Sequence, residues 1–247
     1  MDKGYYPACW KKATGAVLRK PGKPDYSQPK AYRVISVLSC LGKISERIIA
    51  QRLSYLAETS DLLHDSQIGG RLKKSAIDAA LLLTNEIQTN KNHNLMTSAL
   101  FLDVKGDFDH VVKNQLVEIL KNKRLPTNLI AWIASFLSER ELRLAFDGQS
   151  EHFSKINTGI PQGSPVSPIL FLIYIKDLFA SRAVKIIAYV DKICLIAASK
   201  SIRRNIKILE REAAQLYERG DQNDIDFDLA KTELIHFSRS QEAKSRT

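Results

Sequence analysis

Two short apolar segments with β-strand character meet at an acidic residue near position 190. Residues 184–190 and 192–198 are rich in Ile, Val and Ala, and Asp191 lies between them. This pattern predicts a β-hairpin with Asp191 at its tip. A second apolar run, residues 97–104, is predicted as a buried strand that ends on Asp103. The chain must therefore fold around apolar strands whose ends present carboxylates.

Carboxylate oxygens are the ligands that hard divalent cations such as Mg²⁺ prefer. A protein that holds such ions against phosphate groups can transfer nucleotides. We therefore expect Asp103 and Asp191 to converge at one site. Lys192 opposes this interpretation, because a cation directly follows Asp191 where a metal site would favour a further acid.

The excess of basic residues indicates a polyanionic partner. The chain of 247 residues has 37 Lys and Arg against 27 Asp and Glu, which gives a net charge of +10. Phosphate backbones bind such surfaces through counterion release, so nucleic acid is the favoured partner. Acidic lipid is the competing partner, but the sequence lacks a long basic amphipathic helix. Its longest apolar run, residues 169–175, is far shorter than the about 20 residues that span a bilayer, so no membrane association is expected.

Cysteine usage indicates a reducing compartment. Cys9, Cys40 and Cys194 are far apart and lack the paired spacing of a zinc site or a disulfide framework. The N-terminus has no signal-peptide core. The expected location is intracellular.

Hydrophobic periodicity predicts an α+β fold with a sheet covered by helices on one face. Helices are predicted at residues 41–58 and 75–89, through Val117 and Leu120, and at residues 127–137, 169–179 and 201–217. Strands are predicted at residues 33–38, 97–104 and 233–237, and hairpins at residues 141–157 and 184–198. The first helix is expected to pack through Leu41, Ile44, Ile48, Leu53 and Leu56. The basic segment 11–33 is interpreted either as a solvated loop or as a mobile arm on a phosphate backbone.

Four segments, in their order and spacing, resemble the successive palm motifs of the reverse transcriptases of non-LTR retrotransposons. They are residues 101–111 (FLDVKGDFDHV), 159–165 (GIPQGSP), 189–192 (YVDK) and 229–233 (LAKTE). Upstream, residues 21–24, 32–36, 41–43 and 67–71 are similar to the fingers region of that family. The resemblance covers essentially the whole chain, and fungal LINE-like elements are the nearest match that the sequence suggests.

The resemblance implies the fingers and palm of a polymerase right hand, with an antiparallel palm sheet backed by helices. Residues 1–95 would form a fingers-like region and residues 96–240 the palm, with a finger insertion at about 112–158. Residues 241–247 would be a polar tail. No candidate for a primer-gripping hairpin or a thumb follows Phe237, so the thumb is expected to be missing.

The resemblance also implies catalytic roles. Asp103 and Asp191, with the carbonyl group of Val104, would bind two Mg²⁺ ions. Lys231 would protonate the leaving pyrophosphate as a general acid. Each residue could instead have a purely structural role. Either aspartate could be an ordinary turn residue, and Lys231 could be a solvated surface side chain.

A further set would contact the incoming nucleotide. Phe108 would be a bulky gate against the ribose 2′-hydroxyl, and Gln162 and Gly163 would lie near the nucleotide and template, where glycine permits close backbone approach. Arg71 would grip the triphosphate through its forked donors. The structural alternatives are a core aromatic for Phe108, a helix-entry loop for residues 162–163 and a surface role for Arg71.

Two positions depart from the family pattern. The family has a second Asp where this chain has Lys192, and a small residue, usually Ala, where this chain has Asp107. A cation within about 4 Å of a metal ion costs roughly 4 kcal/mol per unit charge at an effective dielectric near 20. A carboxylate at position 107 would repel the triphosphate. Both changes predict impaired catalysis.

The sequence therefore favours a reverse transcriptase domain that extends a DNA primer on an RNA template with dNTPs, by two-metal nucleotidyl transfer, with impaired activity in this copy. The alternative is a non-catalytic nucleic-acid-binding remnant of a retrotransposon. A third hypothesis, a maturase-like splicing cofactor, would need an appended RNA-binding region. Nuclear residence is compatible with an element that reinserts into chromosomes.

Overall fold

The computed structural model of the protein describes residues 4–106, 108–181 and 183–238. Its helices are α1 (Cys40–Thr59), α2 (Ala76–Asn92), α3 (Lys113–Asn122), α4 (Thr127–Leu137), α5 (Ser167–Tyr174) and α6 (Ile202–Gln222). Its strands are β1 (Lys12–Arg19), β2 (Tyr32–Val37), β3 (Met96–Asp103), β4 (Arg140–Phe146), β5 (Gln149–Ser150), β6 (Ser154–Ile156), β7 (Lys185–Tyr189), β8 (Lys192–Ser199) and β9 (Glu233–Phe237). The predicted α+β class is confirmed. No helix in these ranges is long and apolar enough to cross a membrane.

The chain divides into two compact units, and each has a sheet of its own rather than a share in the single sheet predicted. The first unit comprises residues 4–56 and 108–171. Its sheet has the strand order β2-β1-β4-β5, with β6 paired to β4. Strand β1 runs antiparallel to β2 and parallel to β4. The core of this unit is aromatic: the rings of Trp132 and Phe136 stack with centroids 5.4 Å apart, and Tyr6 meets both edge-on.

Strand β1 corrects the interpretation of the basic segment 11–33. Residues Lys12–Arg19 are neither a loop nor a mobile arm but a strand between β2 and β4. The strand is hard to recognise because Gly15 interrupts the apolar alternation. A Cβ atom on Gly15 would lie 2.7 Å from Val34 Cγ1 and 3.1 Å from Leu144 Cδ2. Glycine therefore lets the side chains of both neighbouring strands close over β1.

Helix α1 is present, but its predicted inward face is only partly correct. Leu53 is buried as predicted, whereas Leu41 and Ile44 are 63% and 61% exposed. The buried face also carries Glu46 and Ile49. The apolar pattern misleads because a carboxylate occupies the centre of the buried face.

The second unit comprises residues 57–106 and 172–238. Its sheet has the order β7-β8-β3-β9, and every neighbouring pair is antiparallel. Helices α2 and α6 pack on this sheet, and α6 buries Leu209, Ala213 and Leu216 as its periodicity predicts. The β7–β8 hairpin turns through Val190 and Asp191, as predicted. This turn positions the candidate site.

Candidate active site

The ends of β3 and of the β7–β8 hairpin bring Asp103 and Asp191 together. The register pairs Asp103 with Lys192, and the backbone N–H of Val104 donates to the carbonyl oxygen of Asp191 over 2.9 Å. The Lys192 Nζ atom lies 3.4 Å from one carboxylate oxygen of Asp103 and 3.4 Å from one of Asp191. The two oxygens are thus within about 7 Å of each other. One edge of the sheet holds both carboxylates around a single ammonium group.

A second lysine binds the same site. The Lys231 Nζ atom donates to Asp103 Oδ2 over 2.7 Å and lies 3.4 Å from Asp228 Oδ2. The backbone N–H of Asp228 donates to the carbonyl oxygen of Asp103 over 2.8 Å, which fixes this segment beside β3. Lys231 therefore neutralises Asp103 directly, and its place as a general acid stays a prediction.

Burial and the neighbouring lysines together move the pKa values of the two aspartates in opposite directions. Burial acts to raise the pKa of Asp103, but the hydrogen bond from Lys231 and the charges of Lys192 and Lys231 together hold it below the usual value. Burial raises the pKa of Asp191, with a smaller contribution from the neighbouring charge of Asp103, although Lys192 opposes the shift. Asp103 is the carboxylate that stays ionised most readily.

Replacing Lys231 by Met is expected to raise the pKa of Asp103, because burial is then opposed only by the charge of Lys192 and the hydrogen bond with Asp191. At pH values above the usual Asp pKa of 3.8, the ionised Asp103 stabilises the folded state. This contribution is lost as the pH falls through the pKa of Asp103 in the folded state, which is lower. Carboxyl ¹³C NMR titration measures the shift. The control is Lys105→Met, since Lys105 pairs with Asp226 over 3.6 Å. An unchanged Asp103 pKa in Lys231→Met would contradict the assignment.

The donor atoms at this site suit a divalent cation, but the local charge does not. Asp103 Oδ1 is buried without a hydrogen-bond donor, as a metal-ligating oxygen would be. However, Lys192 pairs with both carboxylates and Lys231 pairs with Asp103, so each carboxylate already has a cationic partner. Within the described ranges no group of three or more acidic, His or Cys side chains is placed to hold a metal ion. As it stands, the site does not fit Mg²⁺ well.

Arg71, predicted to contact a ligand, is engaged within the protein, whereas the metal-binding role of the Val104 carbonyl stays a prediction. Val104 is buried and forms an antiparallel bridge to Phe227. The Arg71 guanidinium pairs with both carboxylate oxygens of Glu58, and its Nη1 atom donates to the carbonyl oxygens of His64 and Gln67. These contacts give Arg71 a structural role, and its contact with a triphosphate stays a prediction.

The other predicted nucleotide contacts, Phe108, Gln162 and Gly163, belong to the first unit. The Phe108 ring packs on Phe171 with centroids 5.4 Å apart. The backbone N–H of Ser36 donates to the Gln162 carbonyl over 2.7 Å. Gly163 has φ +117°, and a Cβ atom there would lie 2.8 Å from the Ser36 carbonyl oxygen. The loop is therefore docked on β2, and only glycine permits this approach. Asp107 lies outside the described residues.

Sequence reasoning missed Glu46, which organises this loop. Glu46 is fully buried, and its two oxygens accept hydrogen bonds from the Tyr6 hydroxyl over 2.6 Å and the Ser164 hydroxyl over 2.5 Å. Ser164 directly follows Gly163. No pattern marks Glu46, because an acid in an amphipathic helix is usually solvated.

Comparison with known proteins supports what the geometry suggests. Residues 18–246 match the family described as reverse transcriptase (RNA-dependent DNA polymerase). The chain belongs to this reverse transcriptase family. It is 32% identical over 214 residues to the RNA-directed DNA polymerase from mobile element jockey of Drosophila melanogaster, which covers 82% of this chain and 23% of the relative. It is 30% identical over 203 residues to the probable RNA-directed DNA polymerase from transposon BS of the same fly, covering 79% of this chain and 22% of the relative.

Further relatives place this reverse transcriptase chain among non-LTR elements. A Pol polyprotein from the type-1 retrotransposable element R2 of the beetle Popillia japonica is 26% identical over 181 residues, covering 72% of this chain and 24% of the relative. The chain thus spans less than a quarter of the length of these three relatives. They come from insects, whereas the sequence suggested fungal elements.

Solved structures confirm the polymerase fold. The apo telomerase of Candida tropicalis, truncated from its C-terminal domain, superposes with a TM-score of 0.63 at 16% identity, covering 94% of this chain and 51% of that one. The telomerase of Candida albicans with a telomeric RNA fragment gives 0.59 at 14% identity, covering 96% of this chain and 44% of that one. At this identity the likeness concerns the fold of fingers and palm.

Proposed function

We propose that this chain is the polymerase domain of a non-LTR retrotransposon protein, which extends a DNA primer on an RNA template, and that Lys192 impairs its activity. Asp103 and Asp191 are the proposed metal-binding carboxylates. The observation that supports this proposal is the position of the Lys192 ammonium group, which lies 3.4 Å from a carboxylate oxygen of Asp103 and 3.4 Å from one of Asp191. The family relationship supports the activity, since the relatives named above are RNA-directed DNA polymerases.

The proposed impairment follows from charge. Nucleotidyl transfer by this type of site uses divalent ions, two by the family resemblance, next to the phosphates of dNTPs. Mg²⁺ would have to displace Lys192 from two carboxylates that are already paired with lysine side chains. Repulsion between the Lys192 ammonium group and a divalent ion on the same carboxylates opposes metal binding, although the exposure of Lys192 reduces it. Metal occupancy, and with it turnover, is therefore expected to be low.

Primer extension tests the proposal. Oligo(dT) on poly(rA) is extended with Mg²⁺ or Mn²⁺ by the unmodified chain, by Lys192→Asp and by Lys192→Asp combined with Asp107→Ala. The proposal expects weak extension by the first and stronger extension by the repaired variants. Strong extension by the unmodified chain would contradict the impairment, and no extension by any variant would contradict a polymerase function of this chain.

The second candidate function is nucleic-acid binding without chemistry, which the net charge of +10 and the neutralised carboxylates favour. Single-stranded RNA is then expected to bind with an affinity that falls steeply with salt. Asp103→Ala should not weaken this binding, since it removes a negative charge. Fluorescence anisotropy across a salt series measures both effects. Absence of binding at low salt would exclude this function.

A further inference from the structure

Helix α6 carries three exposed cations near its start, on the side that faces away from its sheet. They are Arg203, Arg204 and Lys207, and we call them the basic row. Residues three and four apart share one side of a helix, so Lys207 lies beside both arginines. Asn205 and Leu209 are buried on the opposite side of the helix. The basic row therefore points to solvent.

The charge of the basic row is not balanced by nearby acids. Residues 201–209 contain three basic residues and no acidic one. None of the three forms an ion pair within the part of the chain that the structure describes. Arg211, one turn later, differs because it donates to Glu212 Oε1 over 3.1 Å. An excess of positive charge thus remains at the start of α6.

The basic row is unfavourable for the helix that carries it. The N-terminus of a helix has a partial positive charge, which repels cations in the first turn. Arg203 and Arg204 occupy this turn of α6, and among the residues described for this helix the Ser201 side chain forms no capping hydrogen bond. Helix α2 shows the favourable arrangement, with Asp78 in its first turn and a capping box with Ser75. The local structure gives no reason for the basic row, whereas a bound anion would offset its repulsion.

The basic row and the two carboxylates lie on opposite sides of the sheet of the second unit. Asn205 Nδ2 donates to Ser98 Oγ over 3.2 Å, so α6 covers the face to which Ser98 points. Ala99, the next residue of β3, points to the other face, where α2 packs through Leu83. Asp103 follows Ala99 by four residues, so its side chain shares that other face. The basic row is thus separate from the candidate active site.

The chemistry of the basic row matches the phosphate groups of a nucleic acid. Guanidinium groups offer forked donors that fit phosphate oxygens, and an ammonium group adds a point charge. Residues 200–216 contain no aromatic side chain, so this surface lacks the stacking contacts on which single-strand binding commonly depends. A duplex also has a high charge density, with one negative charge per about 1.7 Å of its axis. Double-stranded nucleic acid is therefore the favoured partner.

We propose that the basic row binds the phosphate backbone of a double-stranded nucleic acid outside the candidate active site. Its three cations lie within about 6 Å along the helix axis, which suits neighbouring phosphates of one strand. Phosphate contacts position a duplex without reading its bases, so the binding is independent of sequence. It needs neither a metal ion nor turnover and goes beyond the polymerase activity proposed above.

Fluorescence anisotropy with a short labelled duplex, in a buffer without divalent cations, tests the proposal. Arg203→Gln combined with Lys207→Gln is expected to weaken duplex binding about tenfold and to reduce the slope of log affinity against log salt by about two. The matched control is Lys121→Gln combined with Lys185→Gln, which removes the same charge from exposed lysines that already pair with carboxylates over 3.4 Å and 2.6 Å. Equal affinities and slopes of the two double variants would overturn the proposal. Absence of duplex binding by the unmodified chain at low salt would also overturn it.

Urea unfolding separates a binding role of the basic row from a structural one. Arg203 opposes the helix dipole, and it repels Lys207 one turn later. The double variant Arg203→Gln with Lys207→Gln is therefore expected to unfold at the same urea concentration as the unmodified chain or at a higher one. A lower midpoint would show that the basic row stabilises α6 and would contradict the proposal.

Three comparisons test the identity and the place of the partner. Single strands that bind as tightly as the duplex, with the same loss in the double variant, would contradict the double-stranded assignment. Vesicles containing phosphatidylserine should bind the double variant and the unmodified chain alike, and a loss confined to vesicles would assign the basic row to acidic lipid instead. Asp103→Asn should leave the loss in duplex affinity unchanged, and a smaller loss in that background would contradict a surface separate from the carboxylates.

Discussion

Lys192→Asp is expected to increase metal-dependent primer extension by roughly ten- to a hundredfold. The substitution removes an ammonium group that lies 3.4 Å from an oxygen of both Asp103 and Asp191, and it adds a third carboxylate. At about 4 Å one unit charge contributes about 4 kcal/mol at an effective dielectric of 20. The Lys192 side chain is 65% exposed, so solvent screening reduces this considerably, and about 1.4 kcal/mol corresponds to one factor of ten.

The matched control for this prediction is Lys200→Asp. Lys200 follows the opposite end of β8 and is exposed, so the same change in net charge is made away from the carboxylates. Initial rates of dNTP incorporation at several Mg²⁺ concentrations distinguish the two variants. An equal increase in both would show that net charge, rather than the Lys192 contact, limits activity.

Glu46→Ala is expected to lower the free energy of unfolding by about 3–5 kcal/mol, as removal of one member of a buried charged network does. The Tyr6 and Ser164 hydroxyls would lose their acceptor in the interior, and Arg140 would lose a nearby negative charge. Because Ser164 follows Gln162 and Gly163, the loop should also become mobile. Urea unfolding measures the first effect and amide hydrogen exchange at residues 162–166 the second.

Two substitutions control for the loss of a carboxylate. Glu46→Gln keeps the shape and an acceptor, so it should cost less than Glu46→Ala. Glu118→Ala removes an exposed acid that pairs with Lys121 on the surface, and it should change stability by no more than about 0.5 kcal/mol. If Glu46→Ala also changed the free energy of unfolding by no more than about 0.5 kcal/mol, the hydrogen-bond network around Glu46 would not stabilise the first unit.

The site-bearing hairpin was accessible to sequence reasoning because strand periodicity and strand ends are local features. Asp191 at the tip of the β7–β8 hairpin and Asp103 at the end of β3 are both where the apolar pattern predicts them. The antiparallel register then brings them to one edge without further information. From the sequence, Lys192 was predicted only to be an unfavourable charge near a metal site. Its contacts with both Asp103 and Asp191 were visible only in the structure.

Other features depend on contacts between distant parts of the chain. Strand β1 is stabilised by pairing with β4, more than 120 residues later, and Gly15 conceals its alternation. The inward face of α1 is set by hydrogen bonds from Tyr6 and Ser164 to Glu46. Periodicity describes one element at a time, so it predicted neither the buried acid nor the division into two sheets.

Manganese binding followed by electron paramagnetic resonance tests the central claim most directly, which is that Asp103 and Asp191 form one cation site filled by the Lys192 ammonium group. Lys192→Asp is predicted to bind Mn²⁺ at least tenfold more tightly than the unmodified chain. Adding Asp103→Asn or Asp191→Asn should abolish that gain. Equal Mn²⁺ affinity of the unmodified chain and Lys192→Asp, or a gain that survives both asparagine substitutions, would contradict the account.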